Sequence, residues 1–313
     1  MPDIVAMFFV LGVVSGLLKS DLNLPKAAYD TLSLLLMLTI GLKGGMALHG
    51  NFSGGLMLEV GVVLALGFMI PLVLIPLLRI LVGLSSANAI SLAAHYGSVS
   101  AGTFAVALAY TMTNQLETGG QVTLYLVLLE LPALLVALTV YQMTRSQKSD
   151  FKIKSLLHET FTNRSVVLLV GGVIIGALYG YDEGAQVTQL LTGSFAVVLA
   201  LFLLEMGLVA SETLRKVRWH YWRVITFALV APILLSFTGI LASVLLGLPE
   251  GSAVILAALT ASASYIAAPV AIRNAIPEAD IGLAMLAALG ITFPFNLTLG
   301  IPLYFAAAAW LAG

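Results

Sequence analysis

The chain reads as an all-α membrane protein of ten transmembrane helices. Three observations predict it. Of 313 residues, 60% are hydrophobic and only 9% charged. Apolar stretches of about 20 residues, the length needed to cross a bilayer, recur from one end to the other. The few basic residues fall on one side once those stretches are counted as alternating spans. A soluble domain carries roughly 25% charged residues, so this chain lacks the polar surface to face water over most of its area.

Composition also excludes several function classes. The net charge of −1 leaves no basic face for nucleic acid. There is no cysteine, which removes disulfides, thiolate catalysis and cysteine-ligated metals. Asp3, with no Lys or Arg before the first apolar run, argues for a retained span rather than a cleaved signal.

The predicted spans run near 3–18, 28–48, 57–82, 86–110 and 121–143, then 166–181, 188–211, 223–247, 251–275 and 280–311. The first and sixth are short. Polar loops rich in Gly, Asn, Asp and Pro separate them, none long enough to fold alone. The chain is therefore one membrane domain, 1–313: a first half at 1–143, a linker at 144–165 and a second half at 166–313.

Cytoplasmic loops collect positive charge. With the linker inside, Arg145, Lys148, Lys152, Lys154 and Arg164 lie there. Alternation then brings Lys19, Lys26, Arg79, Arg215, Lys216, Arg218, Arg223 and Arg273 to the same side. Only Lys43 falls elsewhere, so thirteen of the fourteen bases agree. Both termini are expected outside, with the protein in the cell's inner membrane.

Five spans per half force the second half to enter the membrane in the opposite sense. The sequence carries a matching internal repeat. "ANAISLAAHYGSVSAGTFAVA" (87–107) aligns without gaps on "GSAVILAALTASASYIAAPVA" (251–271). Gly45 matches Gly207, Pro71 matches Pro232, and Pro132 matches Pro294 at nearly the same offset. Two inverted five-helix repeats, with broken helices crossing at the midplane, belong typically to secondary transporters.

The middle of spans four and nine is where such a break is expected. Ser98 and Ser100 lie between Gly97 and Gly102; Ser262 and Ser264 are followed by Pro269. Gly and Pro loosen the helical ladder, and freed backbone at membrane depth must face protein or a water-filled cavity. Two half-helix N-termini with their positive dipole ends, together with four serine hydroxyls, would make an anion site without arginine. The alternative is close helix packing by small residues.

Ionisable and polar groups inside spans complete the candidates. Glu130 precedes Leu131-Pro132; its repeat mate is Thr292, with Asn296 one turn on. Carboxylate, hydroxyl and amide oxygens suit Na⁺, with Ser98 counted among its ligands, while a structural hydrogen bond is the alternative for Glu130. Lys43 and Glu205 occupy matching positions and could snorkel to the interface or form a gating pair. His95 and Tyr96 could contact substrate or join helices. Asn88 and Glu59, near span starts, read as caps or interfacial groups.

At "AAHYGSVSAGTFAVA" the chain resembles the sodium-dependent bicarbonate transporter family first known from cyanobacteria. "IGLKGG" (40–45), the Glu-Leu-Pro of span five and the Ser-x-Ser of span nine extend the resemblance over essentially the whole chain. The resemblance implies a core domain moving against a gate domain, a homotrimer, and a symporter driven by Na⁺ as coupling ion, with no organic cofactor. It implies bicarbonate binding at Gly97, Ser98, Ser100, Thr103, Ala261 and Ser262, beside the Ser264 already singled out. In cyanobacterial members a PII-like regulatory trimer docks on the cytoplasmic face; here the linker is shorter, and another small anion is a possible cargo. The nearest rival is a bile-acid-type or antiporter-like carrier of an organic anion, but spans four and nine lack the paired aspartates of antiporters. An intramembrane serine protease, the enzymatic rival, would need one nucleophile near a histidine, whereas this serine pair is duplicated. A carrier, not an enzyme, is expected.

Overall fold

The computed structural model describes residues 4–50, 55–144, 162, 164–215 and 221–312. All regular structure among them is helical. The first half holds α1 (Ile4–Leu17), α2 (Lys26–Leu48), α3 (Gly55–Leu77, widening into a π-type turn at Leu78–Val82), α4 (Ser86–Gly97), α5 (Ala101–Thr113) and α6 (Val122–Thr144). The second half holds α7 (Arg164–Gly193), α8 (Phe195–Leu214), α9 (Trp222–Leu246), α10 (Glu250–Thr260), α11 (Ala267–Ala275) and a final run, α12, over 281–312. Within α12, wide turns at Leu286–Thr292 and Asn296–Gly300 alternate with ordinary helix.

Seven of the described helical runs are long and apolar enough to cross a membrane, and the chain is a multi-pass membrane protein. Eight of the ten expected spans fall on these seven runs, and the first and ninth fall on the shorter helices α1 and α10. The 49-residue run Val166–Leu214 contains two expected spans. The 14 residues of α1 reach about 21 Å at 1.5 Å per residue, and α10 is the first half of an interrupted span.

One boundary differs from expectation. The polar stretch between spans six and seven is not a loop. Helix α7 turns at Gly180 (φ 63, ψ −163) and runs on to Gly193, so the next span begins at Phe195. Asp182, Glu183, Gln186 and Gln189 alternate there with exposed Val187 and Leu190, the pattern of a helix lying along an interface. Most of the linker, with Arg145, Lys148, Lys152 and Lys154, lies outside the described residues, as do Lys216 and Arg218.

The helices pack as two groups. In one, α1 lies against α8 and α2 against α7 and α8. In the other, α3 packs on α4 and α6, and α4 on α6; likewise α9 packs on α10 and α12, and α10 on α12. Buried share locates the centre: 89% of the span over α4 and α5 is buried, against 33% for α3.

The closest helix contacts occur twice. A Cβ on Gly12 would overlap the Leu204 carbonyl, and one on Gly207 would overlap the Phe9 carbonyl and meet the Val13 N–H. In α7 and α2, a Cβ on Gly176 would overlap the Leu42 carbonyl, and one on Gly45 would overlap that of Val173 and meet the Ala177 N–H. Adding 164 to 9, 12 and 13, and subtracting 162 from 204 and 207, converts the first set into the second. Glycine is needed at these crossings because membrane helices gain their attraction from close approach of the backbones.

Candidate substrate site at the helix crossing

Span four breaks where packing and capping both require it. Ser85 starts α4 by accepting the Asn88 N–H at 3.3 Å, and the helix stops at Gly97. A Cβ on Gly97 would come within 2.8 Å of Pro71 Cδ and 3.0 Å of Ala133 Cβ, so α3 and α6 press directly on its backbone. Ser98 is extended (φ −81, ψ 177). Ser100 then starts α5 by accepting the Thr103 N–H at 3.0 Å, an N-cap of the usual kind. Span nine repeats the device. Helix α10 ends at Thr260, and Ser264 accepts the Ala268 N–H at 3.1 Å. Pro269 sits in the first turn of α11, where its missing N–H interrupts no helical bond.

The two unwound segments are stitched together. The Ser100 N–H donates to Ser262 Oγ at 2.9 Å, and that hydroxyl donates in turn to the Leu259 carbonyl at 2.8 Å. The Ser264 N–H donates to the His95 carbonyl at 2.7 Å. Ser98 has no such partner: its residue is 0% exposed and its Oγ makes no hydrogen bond. Thr103 Oγ1, His95 Nε2 and the Tyr265 hydroxyl are likewise buried without a hydrogen bond of ordinary geometry. A buried polar group left unpaired costs about 1–3 kcal/mol. Four such groups lie around one crossing.

Beside the crossing lies a small cavity of about 30 Å³, room for about two waters or one small ion. Ser100, Ser264, Tyr265 and Glu130 supply its polar lining, and Met37, Val166 and Leu169 of α2 and α7 form the opposite wall. The cavity therefore lies between the two helix groups. Glu130 is half-buried and forms no hydrogen bond or ion pair with the described residues.

Other expected residues are brought elsewhere. Thr292 and Asn296 do not line this cavity. Tyr96 donates to Thr292 Oγ1 at 2.6 Å, and Thr292 donates to the Ala228 carbonyl at 2.7 Å. Asn296 Nδ2 holds the Ala261 carbonyl at 3.0 Å while its Oδ1 accepts from Tyr304 at 2.6 Å. These residues brace the second crossing from behind, with the wide turns of α12 aiming them inward. His95 Nδ1 bonds its own helix at the Ser91 carbonyl, 2.7 Å away. Lys43 and Glu205 are not paired with each other: Lys43 Nζ lies over Phe195, and Glu205 Oε2 is buried without a hydrogen bond. Asn88 is not the cap of α4; it accepts the Asp280 N–H at 2.7 Å, tying α4 to the start of α12. Glu59 accepts from Tyr125 at 2.7 Å.

Sequence reasoning missed Tyr265. Its hydroxyl rests against Gly102, where a Cβ would overlap it. The available signal was a hydroxyl-bearing ring standing alone among small residues in "TASASYIAAP".

A search of curated proteins finds no match to this chain. The model of the Na⁺-dependent bicarbonate transporter superfamily matches residues 4–309, nearly the whole sequence, and the chain belongs to that superfamily.

Proposed function

We propose that this protein is a carrier, not an enzyme: a Na⁺-driven symporter of a small anion, bicarbonate foremost, working by alternating access. The observation that carries the reading is the cavity between the two helix groups, lined by Ser100, Ser264, Tyr265 and Glu130. Its size favours a small inorganic anion over a bile-acid-sized cargo. The anion would meet Ser98, Ser100, Thr103, Ser262 and Ser264 with the backbone at Gly97 and Ala261, held by hydroxyls and by the N-terminal ends of α5 and α11. Na⁺ would take oxygens from Glu130 and Ser98, with Thr292 and Asn296 as the more distant candidates.

The paired crossings Gly12–Gly207 and Gly176–Gly45 support two inverted repeats, 1–143 and 166–313, joined by the linker 144–165. In that arrangement α1, α2, α7 and α8 form the gate and the remaining helices the moving core. With both termini outside the inner membrane, α7 would start on the cytoplasmic side, and the cavity bordered by its Val166 and Leu169 would open that way, an inward-facing arrangement. Family membership extends the proposal to a homotrimer and to a PII-like regulator on the cytoplasmic face.

The test is uptake of labelled bicarbonate by the purified protein in liposomes, with a Na⁺ gradient or a matched K⁺ gradient, against a panel of small anions. Na⁺-dependent uptake competed only by bicarbonate is expected; uptake that ignores Na⁺ would overturn the reading. Glu130→Gln should raise the Na⁺ concentration giving half-maximal uptake about tenfold, as expected for losing a charged ligand worth 1.5–3 kcal/mol. An unchanged Na⁺ dependence would leave Glu130 with a structural role alone.

A further inference from the structure

Residues that the fold needs twice occur twice: Gly45 and Gly207 at the crossings, Pro71 and Pro232, Pro132 and Pro294. Two positions before the matched glycines the charge inverts, with Lys43 in α2 and Glu205 in α8. A structural demand would have selected the same residue at both. Lys43 is half-buried and has no carboxylate partner among the described residues. Its Nζ lies 5.4 Å from the ring centroid of Phe195, the first residue of α8, and 4.0 Å from Met112 Sδ near the end of α5.

Those contacts come from both helix groups, since α2 and α8 belong to one and α5 to the other. A lysine that only snorkels extends its ammonium to water. This ammonium instead covers an aromatic face, a cation–π contact, and touches a thioether. It lies against two soft neighbours, one of them on the opposite group.

Resting on the transport reading above, we propose that Lys43 is an outer capture site for the same small anion, shallower than the serines. In the conformation seen here the ammonium lies against Met112 and Phe195, on both helix groups. When α5 moves away from α2 and α8, the charge is uncovered at the outer threshold and gathers anions ahead of a deeper site that has hydroxyls and amides but no fixed positive charge. Glu205, in the mirrored register of α8, carries the opposite charge toward the inner side. That polarity draws an anion in from one surface and favours its departure at the other.

The absence of cysteine in the chain makes the test clean. In liposomes, uptake at low bicarbonate should fall as ionic strength rises in the parent. Lys43→Met should raise the half-saturating bicarbonate concentration about tenfold, the lower end of electrostatic steering effects, and remove that salt dependence. Lys43→Arg should keep both parental behaviours. In Lys43→Cys, a cationic thiol reagent should restore the low half-saturation and an anionic one should not. An unchanged half-saturation in Lys43→Met, or equal effects of the two reagents, overturns the proposal. Failure of the parent to take up bicarbonate at all sinks the transport reading instead, and it is seen without any variant. Lys43 is then read by accessibility: outside-added maleimide should label Lys43→Cys at a rate that changes with Na⁺, and a constant rate overturns the capture site.

Discussion

In span four the chain leaves its helix abruptly at Gly97, runs extended through Ser98, and restarts at Ser100. In span nine the helical turn persists through Ala261 (φ −81, ψ −5) before the chain unwinds toward Ser264. The serines correspond, Ser98 to Ser262 and Ser100 to Ser264, and each second serine caps the half-helix that follows. Their hydrogen bonds do not correspond. Ser262 accepts from the Ser100 N–H and donates to Leu259. The mirrored bond, from the Ser264 N–H to Ser98, is replaced by one to the His95 carbonyl. Both serines still close their helices through the backbone, the Ser98 N–H donating to the Ala94 carbonyl at 3.1 Å and the Ser262 N–H to that of Leu259 at 3.0 Å, but only the Ser262 hydroxyl bonds back into its own turn. Duplicated sequence thus supplies the scaffold, and the departure from symmetry leaves one hydroxyl open. That open hydroxyl is the stronger candidate for the anion.

The largest test of this contrast is at the residues just before the serines. Gly97→Val should prevent assembly, because Pro71 and Ala133 leave no room for a side chain. Ala261→Gly, at the matching position, should yield well-behaved protein with only the loss of under about 1 kcal/mol that glycine incurs relative to alanine. The check is the yield of monodisperse protein and its thermal midpoint in detergent. Similar damage at both positions would break the asymmetry.

Next come the serines themselves. Ser98→Ala removes a hydroxyl with no partner in the protein, so its thermal midpoint should match the parent while the anion concentration for half-maximal uptake rises about tenfold or more. Ser262→Ala strips the Ser100 N–H of its acceptor and should cost about 1–3 kcal/mol of stability. Equal losses of stability would show that the two hydroxyls are equivalent after all. The smallest effect is expected at the caps: Ser100→Ala and Ser264→Ala should each cost about 1 kcal/mol, and to the same degree, because the capping bonds are the part of the device that remains symmetric.

Much of this was legible beforehand, for reasons specific to each residue. Gly97, Gly102 and Pro269 announced the breaks because only such residues interrupt a helix at membrane depth without large cost. Ser100 and Ser264 could be placed at half-helix starts because capping is local, needing only the next few N–H groups. Glu130 was recognisable as costly in lipid, and the cavity it lines was not. The polar run after Gly180 was misjudged as a loop because local polarity does not distinguish a helix lying along an interface from a turn. Tyr265 was overlooked because its importance comes from Gly102, far away in sequence.

Composition and the length of the apolar runs determined that this is an all-helical membrane protein, and Gly97, Gly102 and Pro269 where its spans are interrupted. A bilayer applies rules along the chain, one residue run at a time, and no knowledge of partners is required. The pairing of helices decided everything at the level of single atoms: that Ser262 is satisfied and Ser98 is not, that Glu130 faces Ser100 and Ser264 while Thr292 and Asn296 support the crossing from behind, and that Lys43 lies on Phe195 rather than against Glu205. Those outcomes depend on distances between residues far apart in the chain. So does the close approach at the glycines 12, 45, 176 and 207, where two pairs of backbones come into contact.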